Sequence, residues 1–312
     1  MGPLSLVATK ALGPFGPSGL SGGLVLMWSL GLLTLFLLER AANAIRGGAD
    51  PLVGFTTLVG GFLFLKAWQE AAGRVGHIDD VLAMAFVALA AWAVAVRRPA
   101  LAGLAVGLAV AAKPWGIIVL PLCLAFPPRL MVRSLGVAIG TTLVAWLPFV
   151  LADRHTTGAS AYSQVVDAAS GLRALGVSSL DTPSWVRPAQ VLIAIGLGVV
   201  AVWIGRWPAV LPIALAVRIA LDPAIYPYYA PTLVLGGIAC DLLVSRRPVP
   251  LWTLVTYVGV IAVPTGVSAA TRGDVRLASC IALVLGAFLL PACSSSAKTA
   301  FATKRRGVTA PA

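Results

Sequence analysis

Apolar residues in this chain come in long blocks that carry no polar face. Eleven are visible, at 19–38, 51–65, 81–96, 100–112, 115–126, 135–151, 190–205, 208–220, 226–243, 250–269 and 277–290. A surface helix of a soluble domain returns a polar stripe about every 3.6 residues, and these blocks do not. Only 11% of the 312 residues are charged, where a soluble domain carries about 25%. So few charges cannot cover a water-facing surface. The expected fold is an all-α polytopic transmembrane helix bundle of about 9–11 membrane segments. It forms a single membrane domain over residues 1–292, followed by a basic, disordered cytoplasmic tail over 293–312.

Block 100–126 is interrupted by Lys113-Pro114-Trp115. Proline stops a regular helix from running through, and a lysine at that point needs water or a partner. Two short helices meeting at the membrane surface are therefore expected.

Alternating the blocks across a membrane then sorts the charges. One side takes Glu39, Arg40, Arg46, Asp50, Arg97, Arg98, Arg129, Arg133, Arg206, Asp241, Arg246, Arg247 and the tail cations Lys298, Lys304, Arg305 and Arg306. It carries a net +10 and the other side +2, out of a total of +12. By the positive-inside rule the first side is cytoplasmic. This puts the N-terminus outside, the C-terminus inside and the protein in the plasma membrane. The basic residues thus have a topological explanation and do not indicate nucleic-acid binding. Cys123, Cys240, Cys280 and Cys293 form no CxxC and read as small buried hydrophobes.

The extracytoplasmic loops, at 66–80, 152–189, 218–229 and 270–276, hold most of the acidic residues and both histidines. Gly76-His77-Ile78-Asp79-Asp80 immediately precedes an apolar block. One aspartate suffices to cap a helix, which leaves a second aspartate and His77 over. A carboxylate can act as general base, and two aspartates with a histidine permit a divalent cation such as Mg or Mn without requiring one. Asp79, Asp80 and His77 are thus the catalytic candidates, with Asp79 and Asp80 as candidate metal ligands.

Lys113 is either a snorkelling side chain at a kink or a phosphate-binding cation, beside the interfacial Trp115. Arg218 lies in an apolar stretch and requires a partner. Asp222, four residues on, would pair with it across one helical turn. Tyr226, Tyr228 and Tyr229 read either as an interfacial aromatic belt or as part of a binding surface. Arg272 and Arg276 are either solvated loop residues or substrate contacts. His155 reads as a surface-loop residue. The glycine pairs Gly103/Gly107 and Gly136/Gly140 match GxxxG and are expected at close helix contacts. No P-loop, dinucleotide GxGxxG, HExxH or paired CxxC appears.

Three stretches resemble a known family: GHIDD at 76–80, RRPALAGLAVGLAVAAKPWGIIVLPL at 97–122 and RIALDPAIYPYYAPTLVLG at 218–236. They resemble polytopic GT-C glycosyltransferases, in particular the bacterial mannosyltransferase-like group that uses polyprenyl-phosphate sugars. The resemblance runs over about residues 1–245. It implies a lipid-linked sugar donor, mannose being one candidate sugar, and a glycan or glycolipid acceptor of the cell envelope. It further implies Asp79 or Asp80 in a second acidic position near the donor, with Lys113 and Arg218 at its phosphate; Trp115, Asp222, Tyr226, Tyr229, Arg272 and Arg276 are the candidate substrate contacts. Members of the group begin with a further helix and an acidic loop, and the start of the present chain resembles the segment just after that loop. A transporter or lipid flippase, or a truncated non-catalytic member, is the competing expectation.

Overall fold

The computed structural model describes residues 1–12, 19–156, 163–245, 247–263 and 266–290. Twelve α-helices succeed one another, and the sole strand-like feature among the described residues is an isolated bridge between Val165 and Asp181. The helices are α1 (Pro3–Leu12), α2 (Gly19–Arg46), α3 (Pro51–Gln69), α4 (Ile78–Ala95), α5 (Pro99–Ala112) and α6 (Pro128–Ala152). After a four-residue turn α7 (Gly171–Ala174) come α8 (Val186–Trp203), α9 (Val210–Ala220), α10 (Ala230–Ala239), α11 (Leu251–Tyr257) and α12 (Ala269–Leu289). Three of them, α3, α10 and α11, continue into π-helical turns at Glu70–Val75, Cys240–Val244 and Val258–Ala262.

Among the described residues six helical stretches are long and apolar enough to cross a membrane, from Gly22–Arg46 to Pro227–Val244, and four shorter apolar helices accompany them. The protein is a multi-pass, all-α membrane bundle. The stretches built on α4 and α10 are the most enclosed, and α6 is the least enclosed of the six. The first two therefore form the centre and α6 faces outward, toward lipid.

The break at Lys113 is present. Helix α5 stops at Ala112, and Pro114–Ala125 winds as a 3-10 helix with Pro121 inside it. Gly116 then lies against the backbone of Ala109, so the chain reverses at the lysine. At ~2.0 Å rise per residue a 3-10 helix of this length covers about 24 Å, against about 18 Å as an α-helix. The looser pitch lets a short segment reach most of the way across a bilayer core of about 30 Å.

The loops gather at two ends. The chain around Ile45, Arg97, Pro127, Arg206 and Val244 lines one cavity, so the turns carrying most of the basic residues share an end. There Arg46 bonds Asp50 at 2.7 Å and the carbonyls of Leu242 and Ser245, and Asp241 accepts from the amides of Trp252 and Thr253 at the start of α11. At the opposite end sit His77, Lys113, Arg187, Arg218 and Arg276. Arg246, residues 157–162, Cys293 and the basic tail lie outside the described residues. Cys123, Cys240 and Cys280 are free and buried.

Several expectations change. Residues 271–276 are not a loop. Ser268 accepts the Thr271 amide at 3.1 Å and starts α12 at Ala269, which places Arg272 and Arg276 on one helix face, one turn apart. The 66–80 segment is likewise helical as far as Val75. Gly107 packs as expected: a Cβ there would lie 2.8 Å from the Ala138 carbonyl oxygen of α6, and Gly103 meets the Ser134 carbonyl in the same way. Gly136 and Gly140 have nothing near them. Helix α6 turns Ser134, Ala138 and Thr141 to α5, and positions two residues on point away. Finally, α1 forms where no apolar block is visible: Gly2 donates its amide to Ala112 at 2.9 Å, and the Ser5 hydroxyl bonds the same carbonyl at 2.8 Å.

Candidate functional site

Gly76 takes a left-handed conformation (φ 70°) that closes the π turn after α3, and the His77 amide bonds back to Ala71. The chain then turns straight into α4, so Asp79 and Asp80 fall in its first turn, where the helix dipole favours negative charge. Neither aspartate is the cap. His77 holds that position without a side-chain cap bond, and the backbone amide that Asp79 accepts is that of the adjacent Asp80, at 3.0 Å. Both aspartates instead turn into the bundle and are buried.

Asp80 is saturated. One carboxylate oxygen takes the Lys113 ammonium; the other accepts from the Trp115 indole at 3.0 Å and from Arg218 at 3.4 Å. Arg218 also donates to Thr232 at 2.8 Å, and Gln190 bonds the Arg218 carbonyl. The guanidinium lies 4.6 Å from the Trp115 ring centroid and 4.9 Å from that of Tyr229. Asp79 shares the Lys113 ammonium at 3.2 Å and faces His77 Nδ1 at 3.3 Å. Two carboxylates thus meet two cations in a buried, charge-balanced set. Such a set is held by geometry, because desolvation offsets most of the Coulomb attraction.

His77 is the accessible member. About a quarter of its side chain is exposed, its ring stacks on Tyr228 at 3.7 Å, and its Nε2 makes no hydrogen bond among the described residues. Tyr226 stacks on Tyr228 in turn, at 5.0 Å, and Tyr229 meets both edge-on. The three tyrosines thus pack on one another beside the cluster, Tyr229 buried and Tyr226 exposed.

His77, Asp79 and Asp80 present ligand atoms within 4.8 Å of one another, as a metal site would. The Lys113 ammonium already lies against both carboxylates, where such a cation would sit.

The pairing of Arg218 with Asp222 across one turn is not formed. Helix α9 ends at Ala220, so Asp222 lies beyond it, and the ion pair of Arg218 is with Asp80. Asp222 bonds the Ala224 amide and faces Arg187 at 3.9 Å. Burial pushes its carboxyl above the usual carboxylate range, opposed by the charges of Arg218, Arg187 and Arg276. Arg272 and Arg276 lie apart from the aspartates and line a separate cavity with Tyr226. His155 is exposed in its loop. The sequence alone does not single out Gln190, Thr232 or Arg187. The first two carry a weak signal, each being a polar residue inside an apolar block.

No family model, no curated protein and no solved structure matches the sequence.

Proposed function

We propose that this protein is a membrane glycosyltransferase of the plasma membrane. In this reading it moves a sugar from a polyprenyl-phosphate donor to a glycan or glycolipid acceptor at the end that holds His77, with that end extracytoplasmic. The observation that carries the reading is the division of labour between the two aspartates. Asp80 is fully committed to Lys113, Trp115 and Arg218, whereas Asp79 backs a partly exposed histidine whose outer nitrogen is free. A histidine whose ring is held by a buried carboxylate is oriented to take a proton at its other nitrogen.

Each group then has a chemical role. An acceptor hydroxyl loses its proton to His77 Nε2 and attacks the anomeric carbon. The bond from that carbon to the phosphate oxygen breaks, and the lipid phosphate leaves with the electron pair. Asp79 stabilises the imidazolium that forms. The Lys113 ammonium is the cation nearest the base and opposes negative charge growing on the leaving phosphate. The short resembling stretches at 76–80, 97–122 and 218–236 support the same reading.

The test is transfer from a labelled polyprenyl-phosphate hexose by purified protein in lipid nanodiscs, with envelope extract as acceptor. His77→Ala and Asp79→Asn are each expected to lower the rate by about 10²–10⁴-fold, the range of general-base catalysis. Undiminished transfer in both variants would remove the assignment.

One observation favours a transporter instead: the 3-10 segment Pro114–Ala125 is a broken helix in the core, a construction that transporters use at binding sites. Substrate uptake into sealed vesicles without any glycosylated product would decide for it.

A further inference from the structure

A cavity of about 420 Å³ opens at the His77 end of the bundle, between α12 and two of the π-helical turns, the first Glu70–Val75 and the second Val258–Ala262. Glu70 and Arg74 line it from the first turn, Val260 and Ile261 from the second, and Arg272 and Arg276 from α12. Tyr226 closes one side, which puts the cavity two stacked rings away from His77.

Its arginines are unusually placed. Arg276 is only 5% exposed and makes no hydrogen bond or ion pair among the described residues, with Nη1 buried and unpartnered. The Nε of Arg272 is buried and unpartnered as well. Spacing of four along α12 aims both guanidinium groups into the same space. Arg74 adds a third positive charge and is paired with Glu70 at 3.1 Å, so the lining carries a net +2. Asp222 and Asp167 lie near enough to act on Arg276 electrostatically, yet neither comes within ion-pair distance. At the opposite end the Arg46 Nε is unpartnered too, but that guanidinium is bonded to a carboxylate and two carbonyls, whereas Arg276 has no acceptor among the described residues. A buried guanidinium with no acceptor is costly, and an anion that supplies acceptors removes the cost.

We infer that this cavity is a binding site for a phosphate group, gripped by Arg276 and Arg272. Arginine forks match phosphate oxygens in charge and geometry. The volume lies in the range of small-ligand sites and leaves room beside the phosphate for a headgroup or the first carbons of a chain against Val260 and Ile261. The π turns on both walls are of a kind frequent at functional sites. Lys113 and Arg218 do not line this cavity; their ion pairs are with Asp79 and Asp80. Phosphate binding at α12 is independent of sugar transfer: it can hold where transfer fails, and the reverse.

The phosphate can belong to a lipid headgroup or to a soluble phosphate, and two arms separate them. In the first, inorganic phosphate is titrated into purified protein in detergent and binding is read by calorimetry. In the second, protein is reconstituted in phosphatidylcholine nanodiscs with and without phosphatidic acid, and the lipid retained on extraction is counted by native mass spectrometry. Saturable binding in the first arm alone identifies a soluble phosphate, and one retained phosphatidic acid identifies a headgroup. In either case Arg276→Met and Arg272→Gln should each weaken binding by about tenfold or more, and Arg276→Lys should restore part of it. Arg272 is half-buried and its variant tests the site even if Arg276→Met fails to fold. Absence of binding in both arms, or binding unaffected by the Arg272 and Arg276 variants, would overturn the inference.

Discussion

Asp80 accepts from a lysine, an indole and an arginine at once, in a setting with no water contact of its own. Removing its charge leaves two buried cations competing for Asp79. Breaking one side of a buried ion pair costs about 3–5 kcal/mol, while removing both sides costs much less. Asp80→Asn should therefore lower the melting temperature in detergent sharply, and Asp80→Asn with Arg218→Met should recover part of the loss. Lys113→Ala has a different consequence. It exposes His77, Asp79 and Asp80 as a three-ligand set, so Mn²⁺ should bind the variant more tightly than the native protein by electron paramagnetic resonance titration; equal affinity would mean the ammonium does not occupy the cation position. At this scale the sequence is informative where a residue is costly to bury. Asp79, Asp80, Lys113 and Arg218 announce themselves as charges at the ends of apolar blocks. Gln190 and Thr232, which hold Arg218 in place, are neutral and pass as ordinary helix residues. Asp222 misleads for another reason: a spacing of four implies contact only if the helix continues, and α9 stops at Ala220.

Between elements, glycines decide how closely helices approach. A side chain at Gly107 would run into Ala138 and Thr141 of α6, and Gly103 into Ser134. Gly107→Val should destabilise the bundle by about 1–3 kcal/mol or more, as overpacked contacts do. Gly136→Val, with open space around it, should change thermal stability little, measured in the same detergent. The motif alone cannot separate the two pairs, since GxxxG states spacing and not which face meets a partner. The 3-10 winding of Pro114–Ala125 is equally invisible to hydrophobic periodicity in a uniformly apolar run. Its one trace is the proline pair Pro114 and Pro121. The start of α12 is a capping event at Ser268, which a search for apolar blocks does not register, so the shared helix face of Arg272 and Arg276 is not legible there.

For the molecule as a whole, alternation of apolar blocks predicts which loops share a side. The segments around His77, Lys113, Arg218 and Arg276 assemble at one end, and Arg46, Arg97 and Arg206 lie at the other. Long-range pairing across that end, such as Asp80 with Arg218, depends on how α4 and α9 pack and is not written in any local pattern. The charge difference between the ends predicts their sides. In a background without native cysteines, Leu180→Cys at the His77 end should react with an impermeant maleimide on intact cells, and Arg129→Cys only after permeabilisation. The measurement that bears most directly on the central claim is glycosyl transfer in sealed proteoliposomes of known protein orientation, with acceptor confined to one side. Product should form only when the acceptor faces the His77 end, should survive chelation of divalent ions, and should fall by about 10²-fold or more in His77→Ala. Transfer that proceeds equally from the opposite side, or at native rate in His77→Ala, would contradict the account.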